Sequence, residues 1–202
     1  MDNIRLYTRQ NDKTLNMLES KGRIINERIY VKMHFGDMAE HYLERYDWFA
    51  AQAAKRVPRP EDVSLPIWCA IDPRYCLLPE PGTVIYILEV PKDKVIFFDD
   101  VKWDYVLNNK YLPADPEDEA RYRLHLRELG ISSSYMLLSG RYAGKYPLEE
   151  RRIRESWSRV FDVPDLTRPS ICGNIWEIRR EQVLRIVRPG EGFSDQTLSA
   201  GE

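Results

Sequence analysis

The chain has 202 residues, 43% of them hydrophobic and 31% charged, with a formal net charge of -2. These totals fit one globular domain with a real core, or at most two small ones, and exclude a disordered chain or a globally basic nucleic-acid binder. No apolar run approaches the about 18 residues that a membrane-spanning helix needs, and the opening MDNIRLYTRQ lacks the apolar core of a secretion signal. A cytoplasmic location is therefore expected.

Ile4 to Thr8 reads as a short strand, and Asn11 or Asp12 then caps a helix carrying Leu15 and Leu18. Gly22 is placed to end it in a left-handed turn. Glu27 to Met33 alternates charged and apolar residues, as an edge strand or the entry to the next helix would. Asp37 and Glu40 form a D-x-x-E capping pattern. Behind it Met38, Tyr42, Tyr46, Phe49 and Ala53 recur at helical spacing, giving an amphipathic helix to about Arg56. Pro58 and Pro60 close it.

Pro66 to Ile71 is an apolar run suited to a buried strand, and a proline-rich loop follows to Gly82. Thr83 to Asn108 is the most informative stretch. Val84, Tyr86, Leu88 and Val90 share one strand face, while Ile85, Ile87 and Glu89 share the other. Both faces being mostly apolar, this strand belongs at the centre of a sheet. Val95 to Phe98 is expected to pair antiparallel with it across a tight turn. Asp99 and Asp100 then open a short helix; one is needed as its cap, and the other reading is a ligand-binding or acid–base pair.

Asp115-Pro116 marks the next helix start, with Tyr122, Leu126 and Leu129 inward and Gly130 as its stop. Ser132 to Ser134 is a turn before apolar Tyr135 to Leu138. Pro147 starts a further helix with Ile153, Trp157 and Val160 inward. Ile171 to Ile178 and Val183 to Val187 are read as late strands. The expected organisation is one α+β domain over residues 1–189, with a mixed or mostly antiparallel sheet and flanking helices, and a disordered tail over 190–202.

Several polar residues stand out. Asp47 sits among aromatics in mid-helix, where aspartate is unfavourable; solvent or an ion pair to another element would explain it. Trp103 and Asn108 share one short helix, as core and cap or as a stacking and reading pair for a nucleotide. Glu177 lies in a late apolar strand, as an exposed cross-strand partner of nearby bases or as an inward functional carboxylate. Arg141, Lys145, Arg151, Arg152 and Arg154 form a basic stretch interleaved with Tyr142 and Tyr146, a solvated face or a phosphate-contacting patch for nucleic acid. The three cysteines, Cys69, Cys76 and Cys172, form no C-x-x-C and no even disulfide set. His34 and His41 lie on one helical face without a third ligand spaced to join them. No dinucleotide fingerprint, Walker loop, H-E-x-x-H or G-x-S-x-G occurs.

LYTRQ, YDWF followed by R-V-P, PIWCAI, VIYILEVPKDKVIFFDDVKWDYVLN, SWSRVFD and NIWEIRREQV together resemble a bacterial family built on a domain of unknown function, from Arg5 to about Val187. The layout is also similar to the ADP-ribosyltransferase-like fold. There an early L-Y-x-x-x strand grips NAD and a late strand carries an acidic residue. That resemblance implies NAD as a ligand, Thr8 and Arg9 at the nicotinamide grip, and Asp47, Trp103 and Asn108 as cleft residues. It implies Glu177 as the catalytic glutamate, stabilising an oxocarbenium-like transition state. Thr8-Arg9-Gln10 departs from the usual His-Gly-Thr, and neither a Ser-Thr-Ser nor an acid-x-Glu motif is present. The alternative is a non-enzymatic module that binds nucleic acid or protein through Arg141 to Arg154.

Overall fold

The computed structural model describes residues 2–192. They divide into two compact units, one from the residues up to Phe97 together with those from Thr167 onward, the other Phe98–Leu166. Most of the expected tail, residues 193–202, lies outside the described residues.

The first unit is built on strand β4 (Thr83–Pro91). Its residues from Val84 to Leu88 are all buried, as the doubly apolar pattern demands. Val84, Tyr86, Leu88 and Val90 pack with Leu6, Ile67, Cys69, Ile175 and Leu18 on one face. Ile85 and Ile87 pack with Tyr7 and Val187 on the other. Strand β1 (Asn3–Asn11) pairs antiparallel with β4 along its whole length, from Asn3 opposite Pro91 to Asn11 opposite Thr83. It runs past the expected end at Thr8, because β4 offers Arg9, Gln10 and Asn11 a continuous row of hydrogen-bonding partners.

Strand β2 (Arg23–Ile25) lies outside this sheet. The remaining strands are β3 (Ile67–Ala70), β5 (Ile96–Asp99), β6 (Ile171–Ile175), β7 (Glu177–Arg179) and β8 (Val183–Val187). The six-stranded antiparallel sheet has the order β5-β6-β3-β1-β4-β8. The fold is therefore α+β with an antiparallel central sheet, as expected. The expected pairing of β5 with β4 does not occur. Both edges of β4 are taken, by β1 and β8, and a 3-10 turn at Lys92–Lys94 sends β5 to the far edge. The late stretch ICGNIWEI also divides. Its first half is β6, and its second half is β7, which pairs with β2 in a separate two-stranded sheet. Trp176 makes the break, buried and donating Nε1–H to the Val57 carbonyl at 3.0 Å.

Helix α1 (Thr14–Lys21) ends at Gly22, whose φ of 70° makes the left-handed cap and whose N–H reaches the Leu18 carbonyl. Helix α2 (Arg28–Phe35) resolves the alternating segment as helix rather than strand. Helix α3 (Ala39–Ala53) follows a 3-10 turn, and its D-x-x-E pattern supplies no side-chain cap. Its inner face is Leu43, Phe49, Ala50 and Ala53, while Met38 of the expected stripe is 55% exposed. Tyr46 and Phe49 meet Trp68 edge-on, at centroid distances of 5.4 and 4.9 Å.

In the second unit Asp99 caps helix α4 (Asp100–Leu107), accepting from the N–H groups of Val101 and Lys102. Asp115 caps α5 (Pro116–Glu128) by accepting from Asp118 N–H at 2.7 Å. After the one-turn helix α6 (Tyr135–Leu138), α7 (Pro147–Ser156) runs into a 3-10 turn, and Ile153, Trp157 and Val160 are buried as expected. The Asp118 carboxylate accepts from Ala114 N–H at 2.9 Å and Tyr111 O–H at 2.8 Å.

Two outcomes test this packing. A Cβ at Gly173 would lie 2.8 Å from Val95 Cγ1 and 3.2 Å from Leu6 Cδ2. Gly173→Ala should therefore lower the unfolding free energy by about 1–3 kcal/mol in a urea titration. The Ala114 amide, with Tyr111 and nearby arginines, holds the Asp118 carboxyl below its ordinary range. Its stabilising contribution is thus full above about pH 4 and is lost as pH falls through the depressed native value. The stability gap between wild type and Asp118→Asn should narrow steadily as the pH is lowered from about 5 towards 2.

Candidate functional site

A groove of about 530 Å³ opens in the first unit between the end of β1, helix α1, strand β2 and helix α2. The sequence builds it simply. The extension of β1 carries Arg9, Gln10 and Asn11 to the sheet rim. Lys13 precedes helix α1, which presents Thr14 and Met17, and the Gly22 turn returns the chain as β2 with Ile24, Ile25 and then Asn26. Helix α2 supplies Tyr30, Met33 and His34, spaced i, i+3 and i+4 and hence on one face.

The polar groups are oriented from behind. Thr8, buried, donates to the Trp68 carbonyl at 2.7 Å and accepts from Gln10 Nε2 at 2.7 Å. Asn26 donates Nδ2–H to the Pro66 carbonyl at 2.9 Å. Thr14 hydrogen-bonds the Asn11 carbonyl at 2.6 Å and meets the Tyr86 hydroxyl at 2.9 Å. Tyr30 O–H reaches Met17 Sδ at 3.9 Å, and Tyr30 and Met33 remain 45% and 77% exposed. The lining holds Lys13 and no carboxylate; Arg9 also borders it, but its side chain, opposite Ile85 in register, leaves on the Tyr7 and Ile85 face of the sheet and pairs with Glu80 at 2.6 Å. Lys13 has no ion-pair partner among the described residues.

Of the residues singled out in the sequence, Arg9 lines the groove and Thr8 stands one hydrogen bond behind it through Gln10. Glu177 is absent from the lining, although it pairs in register with Ile25, which is part of it. Its side chain is 11% exposed, with Arg23 at 3.0 Å and Arg179 at 2.5 Å. Arg23 also pairs with Asp62. Asp47 pairs with Arg28 of α2, which accounts for an aspartate in mid-helix. Trp103 and Asn108 belong to the second unit. There Trp103 is buried and Asn108 donates Nδ2–H to the Asp104 carbonyl at 2.9 Å.

In the basic stretch, Arg152 lies 4.9 Å from the Tyr122 ring centroid, Arg154 5.6 Å from Trp157 and Arg141 5.7 Å from Tyr142. Asp100, beside Asp99 and Asp104, has its carboxyl raised by desolvation and then by these like charges. Cys69, Cys76 and Cys172 are free thiols; burial pushes Cys69 well up and Cys76 to about 11. No three His, Cys, Asp or Glu among the described residues gather as a metal site, and no described helix is long and apolar enough to cross a membrane.

Sequence reasoning missed Gln10, Asn11, Lys13, Asn26, Tyr30 and Met33. Only one signal was available for part of this set. Read as a helix, residues 28–35 place Tyr30, Met33 and His34 on one side with no apolar partner spaced to cover them.

The fold and groove define an α+β protein with an antiparallel sheet and a basic, aromatic-rimmed groove. The chain belongs to the family described as Domain of unknown function (DUF3841), whose family model matches residues 5–184. No curated protein and no solved structure matches it.

The paired geometry of Glu177 gives a direct test. Glu177→Gln removes the charge that joins Arg23 of β2 to Arg179 of β7. It should cost about 1–3 kcal/mol of stability by chemical denaturation, more than Asp62→Asn, whose pair is solvent-exposed. Equal small losses would assign the carboxylate no structural role.

Proposed function

We propose that the groove binds a phosphorylated nucleotide, with NAD and ADP-ribose as the first ligands to examine. The observation that carries this reading is the lining itself: the unpaired Lys13 without a carboxylate, amides from Gln10, Asn11 and Asn26, and the exposed Tyr30 and Met33. The lysine suits phosphate oxygens, the amides suit ribose or base edges, and the aromatic and thioether suit a ring face. Its volume of about 530 Å³ falls among small-molecule sites. The free thiols fit a reducing compartment such as the cytoplasm.

Binding is better supported than ADP-ribosyl transfer. A transferase glutamate would face the ribose, whereas the Glu177 carboxylate is engaged by Arg23 and Arg179. Contact with nucleic acid through Arg141 to Arg154 is also less supported, because Arg141, Arg152 and Arg154 lie against rings of their own unit. Titration of the labelled protein with NAD, ADP-ribose and ADP at low salt should shift amides of residues 9–14 and 24–34. Lys13→Ala should weaken the affinity about tenfold, the worth of one charge-assisted hydrogen bond. Shifts confined to other residues, or none, would sink the reading.

A further inference from the structure

Two amides that line the groove are held in one orientation by groups that can only accept. The Trp68 carbonyl has no hydrogen, so the Thr8 hydroxyl donates to it, at 2.7 Å. With its hydrogen spent, Thr8 Oγ1 is an acceptor toward Gln10, which must therefore present Nε2, at 2.7 Å. The Pro66 carbonyl likewise fixes Asn26, which faces it with Nδ2 at 2.9 Å. A β-bridge between the Asn26 and Leu65 backbones holds the side chain at that carbonyl. Turning either amide over would set oxygen against oxygen. Gln10, opposite Val84 in register, leaves the sheet on the face shared by Leu6, Val84 and Ile24, where the groove opens. Gln10 Oε1 and Asn26 Oδ1 have no hydrogen bond among the described residues, and both reach solvent.

We propose that the groove selects an adenine nucleotide, with Asn26 reading the base. The inference rests on the nucleotide reading above and names the base that the same site takes. Adenine carries a 6-amino donor beside the N7 acceptor. The free Oδ1 of Asn26 and its second Nδ2 hydrogen match that pair in the one orientation that the Pro66 carbonyl allows. Hypoxanthine and guanine carry an oxygen where adenine has the amine. That oxygen would meet Asn26 Oδ1 with no hydrogen between them, and both would lose their bonds to water. An amide free to turn over would take either kind of base, whereas a pinned one discriminates. Gln10 Oε1 adds a second fixed acceptor to the same lining. Tyr30 and Met33, 45% and 77% exposed, border the groove and offer the base a ring face and a thioether. Lys13 is left for the phosphate.

Calorimetric titrations with ADP and inosine diphosphate test the assignment, because the two share ribose and phosphates and differ in the 6-amino or 6-oxo group of the base. Wild type should bind ADP about tenfold or more tightly, the discrimination expected of one bidentate amide–base pair. Asn26→Ala should bring ADP down to the inosine diphosphate level and change inosine diphosphate binding less than about twofold. In wild-type protein the side-chain amide resonances of Asn26 should shift with ADP and stay in place with inosine diphosphate, a readout that needs no variant. Equal affinities in wild type would mean that the acceptors meet ribose hydroxyls or no ligand group, and would overturn the base preference. So would an Asn26→Ala protein, folded by its thermal melt, that loses both ligands equally and keeps the preference. Each of those results leaves the nucleotide reading standing. If neither diphosphate binds wild type, the nucleotide reading fails and the base preference with it.

Discussion

The first unit depends on one strand that must be covered on both faces. β4 places Val84, Tyr86, Leu88 and Val90 against one apolar layer and Ile85 and Ile87 against another. At about 25 cal/mol per Å² of apolar surface, leaving either face wet would forfeit several kcal/mol, comparable to a domain's whole net stability. Once β4 is central, its two edges need partners along their length. β1 satisfies one edge over nine residues, and β8 satisfies part of the other. The remaining strands must queue beyond β1, which is why β3, β6 and β5 follow in that order.

The same constraint positions the groove. Because β1 continues to Asn11 to match β4, Arg9, Gln10 and Asn11 are held at fixed register rather than in a loose loop. Thr8 is buried by that extension, and its hydroxyl passes order outward to Gln10. Helix α1 begins within three residues of the strand end and buries Leu18 in the core that β4 organises. The groove residues thus stand on rigid elements, which is what small-molecule recognition requires. Their polarity is met locally: Thr8, Gln10, Thr14 and Asn26 each have a hydrogen-bond partner, and Lys13 is exposed.

Local chemistry was legible in the sequence, and long-range choice was not. Asp99, Asp115 and Gly22 cap their helices as their neighbours in the chain imply. The stripe of Ile153, Trp157 and Val160 is buried because helical spacing alone fixes it. By contrast, pairing β4 with β5 looked natural from their short separation, but strand partners are set by competition among all edges. The break at Trp176 was hidden because an apolar run does not reveal which of two sheets each half joins. The segment 28–35 alternates apolar and charged residues at both periods, and the exposed positions Ile29, Tyr30 and Met33 blurred its helical face. Tyr30 and Met33 of these border the groove, so the weak pattern and the candidate site share a cause.

The conspicuous polar residues illustrate the converse. Asp47 and Glu177 break local expectations, and each is answered by an arginine from another element, Arg28 and Arg23. An oddity in a strand or helix marks a group that needs a partner, and a structural ion pair meets that need as well as a ligand does. Lys13 is the opposite case. It is ordinary at a helix start, yet it stands in a groove without a carboxylate to neutralise it. Arg9, whose side chain leaves on the opposite face of the sheet, has a carboxylate partner in Glu80. Positive charge left uncompensated next to an apolar rim is a property of the assembled site rather than of any one residue. It cannot be read from a chain whose acids and bases almost cancel.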